Sequence, residues 1–189
     1  MARLWDSAIR QNKELTIARA TNTSGWAATY ATAIIRFNAL SSALSLGVTF
    51  RELTPDPENL KSANVEFATA NGKVTFSFGG VSGSATLDGN AKHAFTQPIA
   101  NGNGELVKQF IFVPAKTQHN FLRLCMTVHE LIHATGLDNG DHSDDGDPDV
   151  FCASLTPSGS GVQAGLFANR IMPPIWMTFR TAAKIQALW

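Results

Sequence analysis

Residues 129–137 read His129-Glu130-Leu131-Ile132-His133-Ala134-Thr135-Gly136-Leu137, the most specific pattern in this chain of 189 residues. Residues four apart lie on one face of a helix, with Cβ atoms about 5–6 Å apart. His129 and His133 can therefore direct ring nitrogens at one metal ion. Glu130 points beside that face, where a carboxylate can accept a proton without binding the metal. The pattern predicts a helix that holds zinc next to a general base.

Gly136 occupies the position where a helix commonly ends with a residue in the left-handed conformation. The chain can then turn back and bring a third ligand to the metal. The candidates are Asp138, Asn139, Asp141 and His142. An imidazole or a carboxylate is a competent zinc ligand, whereas the amide of Asn139 is a poor one.

This pattern resembles that of the metzincin zinc peptidases, in which HExxHxxG is followed by His or Asp three residues after the glycine. Asn139 occupies that position here. In the matrixin branch, the matrix metalloproteinase-like group, the motif continues Gly-Leu-x-His-Ser, and residues 136–143 of this chain read Gly-Leu-Asp-Asn-Gly-Asp-His-Ser. A three-residue insertion at Asn139-Gly140 restores the His-Ser pair. The resemblance favours His142 as the third ligand, with Asp141 as its rival.

Two downstream segments extend the resemblance. Metzincins carry a methionine turn beneath the metal, and residues 170–174 read Arg-Ile-Met-Pro-Pro, which makes Met172 the expected methionine of that turn. Residues 178–189 are similar to the C-terminal helix of matrixins, with Thr178 as the predicted N-cap. Upstream, residues 92–98 resemble the matrixin segment that leads out of the edge strand that binds substrate. We expect His93 in this segment to be a strand histidine and not a structural zinc ligand.

The predicted elements indicate an α+β fold. Hydrophobic alternation and periodicity predict strands at 14–19, 48–53, 63–69, 74–79, 84–87 and 108–113, and helices at 25–46 and 117–135. Ser24 and Thr117 are the predicted caps of these helices. The expected layout is metzincin-like: one twisted, mostly parallel sheet is backed by two long helices, and a small C-terminal part contains the Met turn and a final helix.

The length and the hydrophobic content of 44% suit a single domain. The resemblance implies that this domain, residues 1–189, is metallopeptidase-like. We expect an N-terminal extension and strand in 1–24, an upper part with the active-site helix in 25–136, and a lower part in 137–189. The formal net charge is zero, which argues against nucleic acid or acidic membranes as partners. We find no signal peptide or transmembrane segment, so we expect cytoplasmic synthesis or a place in a larger particle.

Two further features leave alternatives open. Four carboxylates, which belong to Asp144, Asp145, Asp147 and Asp149, cluster within residues 144–149. Such oxygens can bind Ca²⁺, although a solvated acidic loop is the simpler interpretation.

Cys125 and Cys152 do not form a disulfide framework. Cys125 is expected to be a buried free thiol, but a disulfide between the two remains possible.

The function that the resemblance implies is zinc-dependent endopeptidase activity on a peptide or protein. His129, His133 and His142 would hold the zinc, and Glu130 would act as the general base for the attacking water. One alternative is a non-catalytic module of a larger assembly that keeps the fold. Another is a zinc amidase that acts on cell-wall peptides.

Overall fold

The computed structural model describes residues 2–116, 120–143, 149–152 and 175–189. Within these ranges the α-helices are α1 (Ser7–Gln11), α2 (Ala27–Leu44), α3 (Pro57–Ser62), α4 (Asn120–Ala134) and α5 (Phe179–Gln186). The strands are β1 (Glu14–Arg19), β2 (Thr49–Glu52), β3 (Val65–Ala70), β4 (Gly72–Phe78), β5 (Val81–Leu87), β6 (Phe95–Ala100) and β7 (Leu106–Pro114). Two short 3₁₀ helices span Thr21–Trp26 and Asn139–Asp141. Among the described residues, no helix has both the length and the apolar composition that a membrane span requires.

The main sheet has five strands in the order β2-β1-β3-β7-β6. Strand β1 pairs in parallel with β2 and β3, and β3 pairs in parallel with β7. Only β6, at the end of the sheet, runs antiparallel to its neighbour β7. The prediction of an α+β fold with a mostly parallel sheet is therefore confirmed.

Strands β4 and β5 form a separate antiparallel pair and do not extend the main sheet. Phe76 of β4 packs against Phe110 and Phe112 of β7, with ring centroids 5.3 and 6.0 Å apart. The prediction of a single sheet was wrong on this point, because the hairpin buries its apolar face by lying on the sheet. The strand prediction also missed β6. His93 is exposed and lies in the connection before β6, so it is not a strand histidine.

The two long helices α2 and α4 share one hydrophobic core with the main sheet. The core combines aromatic side chains of α2, apolar side chains of the strands and the inner face of α4, and it includes Tyr30, Phe37, Ile17, Phe67, Ile111, Met126, Val128 and Leu131. Helix α2 begins at Ala27, and the preceding 3₁₀ helix leaves Trp26 at the N-cap position. The prediction of Ser24 as the cap was therefore wrong. Thr117, the predicted cap of α4, lies outside the described residues.

Residues near both ends of the chain form hydrogen bonds with the C-terminal end of α4. The last carbonyl groups of a helix have no partners within the helix itself. The Trp5 Nε1 donates to the Ala134 carbonyl at 2.9 Å, and the Trp189 Nε1 donates to the Thr135 carbonyl at 2.9 Å. The backbone N–H of Arg3 donates to the Gly136 carbonyl at 2.8 Å. These contacts fix the direction in which the chain leaves α4.

Gly136 should tolerate no larger side chain. Its φ of +119° is unfavourable for other residues, and a Cβ would clash with the Arg3 carbonyl oxygen. We expect Gly136→Ala to lower the free energy of unfolding by more than the strain of about 1–3 kcal/mol that a positive φ alone costs. Urea denaturation measures this. Gly104→Ala is the matched control, because Gly104 has φ +81° and no atom near its Cβ position. Equal losses in the two variants would contradict the proposed clash.

Candidate metal centre

Three histidine side chains converge on one point at the end of α4. His129 and His133 lie on α4, and His142 follows the 3₁₀ helix Asn139–Asp141. The Nε2 atoms of His129 and His133 are 3.2 Å apart, and the His142 Nε2 lies 3.1 Å from each of them. Among the described residues, this is the one cluster of at least three His, Cys, Asp or Glu side chains that can hold a metal ion.

The hydrogen bonds of these rings leave Nε2 available to a metal. The His129 Nδ1 is 2.9 Å from the Val150 carbonyl, and the His133 Nδ1 is 3.0 Å from the Leu137 carbonyl. Because a carbonyl only accepts, each Nδ1 carries the proton, and a neutral ring then presents a lone pair at Nε2. Two lone pairs at this separation repel each other unless a cation lies between them.

The spacing of the nitrogens also fits zinc. Zn–N bonds of about 2.0–2.1 Å at tetrahedral angles place two nitrogens about 3.3–3.4 Å apart. The observed separations of 3.1–3.2 Å are close to that value. Burial lowers the pKa of His129 well below its usual value, and it lowers the pKa of His133 to about 4. Both rings are therefore neutral, which is the form that binds metals.

Phe151 supports all three rings. Its ring centroid lies 5.1 Å from that of His129, 4.8 Å from that of His133 and 4.7 Å from that of His142. Phe151 is fully buried, so it restricts the orientations that the imidazoles can adopt. Met172, the expected methionine of the turn beneath the metal, lies outside the described residues. Phe151 could not be singled out from the sequence, since it follows an acidic stretch and belongs to no motif.

Asp149 ties the segment that contacts His129 to helix α5. Its carboxylate accepts hydrogen bonds from the backbone N–H of Phe151 at 2.9 Å and from the hydroxyls of Thr178 and Thr181, each at 2.6 Å. The adjacent residue Val150 supplies the carbonyl that binds the His129 Nδ1. Thr178 accepts from the Thr181 N–H, which confirms it as the N-cap of α5. Asp149 is thus a buried structural acceptor. The calcium hypothesis concerns residues 144–149, and its other carboxylates, at Asp144, Asp145 and Asp147, lie outside the described residues.

Asp149→Asn should weaken this support. The NH₂ group of an asparagine would face the groups that donate to Asp149, and two donors cannot form a hydrogen bond with each other. We therefore expect a loss of about 1–3 kcal/mol in the free energy of unfolding. The loosened Val150 carbonyl should also lower zinc affinity by about 10- to 100-fold. Urea denaturation and zinc titration measure the two effects. Asp88→Asn is the control, because Asp88 is exposed. A zinc affinity equal to wild type in Asp149→Asn would show that the segment around Val150 does not position His129.

The loop before His142 has its own fixed geometry. Asp138 accepts from the Gly140 N–H at 2.8 Å, and Asp141 accepts from the Asp138 N–H at 3.0 Å, which forms a capping box. The Lys184 Nζ of α5 donates to the Asp141 carbonyl at 2.5 Å. Of the four candidates for the third ligand, only His142 has its side chain in the histidine cluster. The Asp141 carboxylate is directed at the backbone instead.

Glu130 lies on α4 between the two helical histidines and is only 3% exposed. Its Oε2 accepts a hydrogen bond from the Thr96 hydroxyl of β6 at 2.7 Å. Burial raises the pKa of Glu130 to about 8, and the hydrogen bond from Thr96 opposes this shift. A cation held by the neighbouring histidines would favour the carboxylate form. No sequence motif singles out Thr96, although it lies in residues 92–98, which resemble the matrixin segment that leads out of the edge strand.

The cysteines lie outside the histidine cluster. Cys125 and Cys152 are both buried, and no disulfide joins them. Burial raises the pKa of Cys125 to about 12, so its thiol is protonated and is not a ready metal ligand. The expectation of a buried free thiol at Cys125 is confirmed.

Comparison with known proteins adds no assignment to this geometry. The sequence matches no protein-family model and no curated protein.

Proposed function

We propose that this protein is a zinc-dependent endopeptidase. The observation that carries the proposal is the approach of three Nε2 atoms to within 3.1–3.2 Å of one another, beside a buried glutamate on the same helix. Catalytic zinc sites typically use three protein ligands and keep one position open. In this proposal His129, His133 and His142 are the ligands and Glu130 is the general base, as in the metzincins that the motif resembles.

Zinc, when bound, would act as a Lewis acid that lowers the pKa of a water molecule and polarises a carbonyl oxygen. The protein's own side chains carry out the remaining steps. The Glu130 carboxylate takes a proton from the attacking water and then delivers it to the leaving amine. Thr96 holds the Glu130 Oε2 at 2.7 Å and thereby fixes the direction of the carboxylate. Val150 and Leu137 keep the protons of His129 and His133 on Nδ1.

The position of β6 favours a peptide as the substrate. Strand β6 ends the main sheet formed by the described residues, and its residue Thr96 contacts Glu130. An extended peptide can add to a free sheet edge through main-chain hydrogen bonds. A peptide bound in this way would run past Glu130, with its backbone aligned by the strand.

The test is digestion of a peptide library by purified, zinc-loaded protein, with mass spectrometry of the products. We expect cleavage at internal peptide bonds, and loss of cleavage when a chelator removes the metal. Hydrolysis of cell-wall peptides alone would support the amidase alternative. Absence of any hydrolysis by a protein that retains zinc would support a non-catalytic module, and either result would overturn the proposal.

A further inference from the structure

Four consecutive carbonyl groups at the end of α4, those of residues 134–137, each accept a hydrogen bond. The first two donors are indoles. The Trp5 Nε1 donates to the Ala134 carbonyl at 2.9 Å, and the Trp189 Nε1 donates to the Thr135 carbonyl at the same distance. Ala134 and Thr135 are 0% exposed, so water does not bind these carbonyl groups. The two indoles therefore determine the direction in which the carbonyl groups point.

The next two carbonyl groups connect the end of α4 with the metal centre. The Gly136 carbonyl accepts from the backbone N–H of Arg3 at 2.8 Å, and the Leu137 carbonyl accepts from the His133 Nδ1 at 3.0 Å. The ring nitrogen of a histidine that carries the proton is selected by the hydrogen bond that it makes. The position of the Leu137 carbonyl thus determines whether the His133 Nε2 presents its lone pair to a metal.

The indoles can act on His133 through the backbone. The Thr135 carbonyl and the Gly136 N–H belong to one peptide group, and this N–H donates to the His133 carbonyl at 2.9 Å. Because a peptide group is planar, the Trp189 indole and the His133 carbonyl hold the same rigid unit from its two sides. The Leu137 carbonyl lies only two peptide groups further along the chain. Rotation of the unit that Trp189 holds would therefore displace the Leu137 carbonyl from the His133 ring.

We propose that the Trp5 and Trp189 indoles are positioning groups for His133, which orient its ring for metal binding without contacting the metal. The effect on zinc rests on the proposed function. The effect on the His133 ring does not, because it depends only on hydrogen bonds within the protein. The two effects can therefore be measured separately.

Trp26 provides a matched control. Its Nε1 also donates to a buried backbone carbonyl, that of Pro114, at 3.0 Å, and its side chain is 1% exposed. This contact lies at the end of β7 and not at the end of α4. Replacement of Trp by Phe removes the N–H and keeps an aromatic ring at each of the three positions.

The zinc affinity of the three variants is measured by competition with a chromogenic chelator, after circular dichroism has shown that each variant is folded. We expect Trp5→Phe and Trp189→Phe to lower zinc affinity by about 10-fold, the lower end of the range for groups that support a metal ligand. Trp26→Phe should keep the wild-type affinity. Equal affinities in the three variants, whether reduced or unchanged, would overturn the proposal. Trp189 is only half-buried, so Trp189→Phe is decisive even if Trp5→Phe does not fold.

The tautomer of His133 is a second readout, and it needs no zinc. The ¹⁵N chemical shifts of an imidazole show which nitrogen carries the proton. In metal-free wild-type protein we expect the proton on Nδ1 in both His129 and His133, since each Nδ1 faces a carbonyl group. Trp189→Phe should raise the share of His133 rings that are protonated at Nε2, whereas His129, which contacts the Val150 carbonyl, should be unchanged. An unchanged His133 tautomer would show that the indole does not position the ring.

The two readouts separate the possible failures. If wild-type protein binds no zinc, the proposed metal centre fails, but the tautomer of His133 still decides whether the indoles position its ring. If wild-type protein binds zinc and the variants equal it in both readouts, the metal centre stands and the positioning role of the indoles is refuted.

Discussion

Glu130→Gln should lower the turnover of a peptide substrate by about 100- to 10,000-fold, the usual contribution of a general base. Glutamine keeps the shape of the side chain and can still accept the hydrogen bond from Thr96, but it cannot take a proton from water. Because Glu130 is not assigned as a ligand, the zinc content should remain near that of wild type. Steady-state kinetics and elemental analysis of the same preparation measure both quantities.

A matched control for this variant is Glu66→Gln. Glu66 is a partly buried glutamate on β3, and burial raises its pKa, but it is not part of the histidine cluster. The control should keep wild-type turnover. Wild-type turnover in Glu130→Gln would remove Glu130 from the mechanism. Loss of zinc from that variant would instead make Glu130 part of the metal site.

His142→Ala should reduce zinc affinity far more than Asp141→Ala. The His142 Nε2 lies 3.1 Å from the corresponding atoms of His129 and His133, so its removal takes away one of three ligands. Removal of a group that merely supports a ligand lowers metal affinity by about 10- to 100-fold. For His142→Ala we expect a larger loss of zinc affinity than this. Asp141→Ala removes an acceptor for the Asp138 N–H and should stay within that range. Competition with a chromogenic chelator measures both affinities.

The reverse order would move the third ligand to Asp141. The loop would then have to rearrange when zinc binds, since the Asp141 carboxylate is engaged in the capping box. Equal and small losses in the two variants would mean that neither side chain holds the metal.

Local patterns predicted the elements that depend on local physics. The alternation of apolar residues predicted β1 with its observed bounds, Glu14–Arg19. The spacing of His129 and His133 predicted that both side chains share one face of α4, since this follows from the helix period. The positive φ of Gly136 was expected from its place after the last helical turn and is confirmed.

Strand β6 was missed because Pro98 lies inside it. A proline lacks the N–H that a central strand needs, so its presence argues against a strand prediction. It is tolerated here because β6 ends the main sheet formed by the described residues. Position within a sheet is a tertiary property, and the local sequence does not reveal it.

The groups that support the site depend on contacts between distant parts of the chain. Thr96 reaches Glu130 across 34 positions, and Asp149 reaches Thr181 across 32. The residue periods of helices and strands do not predict contacts between such distant pairs. Asp149 also belongs to an acidic stretch that was interpreted as a solvated loop or a calcium site, and only the packing of α5 shows its role as a buried acceptor.

X-ray absorption spectroscopy of the zinc-loaded protein can show whether His129, His133 and His142 together hold one zinc ion. We expect about one zinc per chain, with a first shell of nitrogen and oxygen at about 2.0–2.1 Å and the multiple-scattering signature of imidazole rings. His142→Ala should reduce the imidazole contribution by one ring. A sulfur shell at about 2.3 Å would assign the metal to Cys125 or Cys152 instead, and protein that binds no zinc at all would show that the three histidines do not form a zinc site.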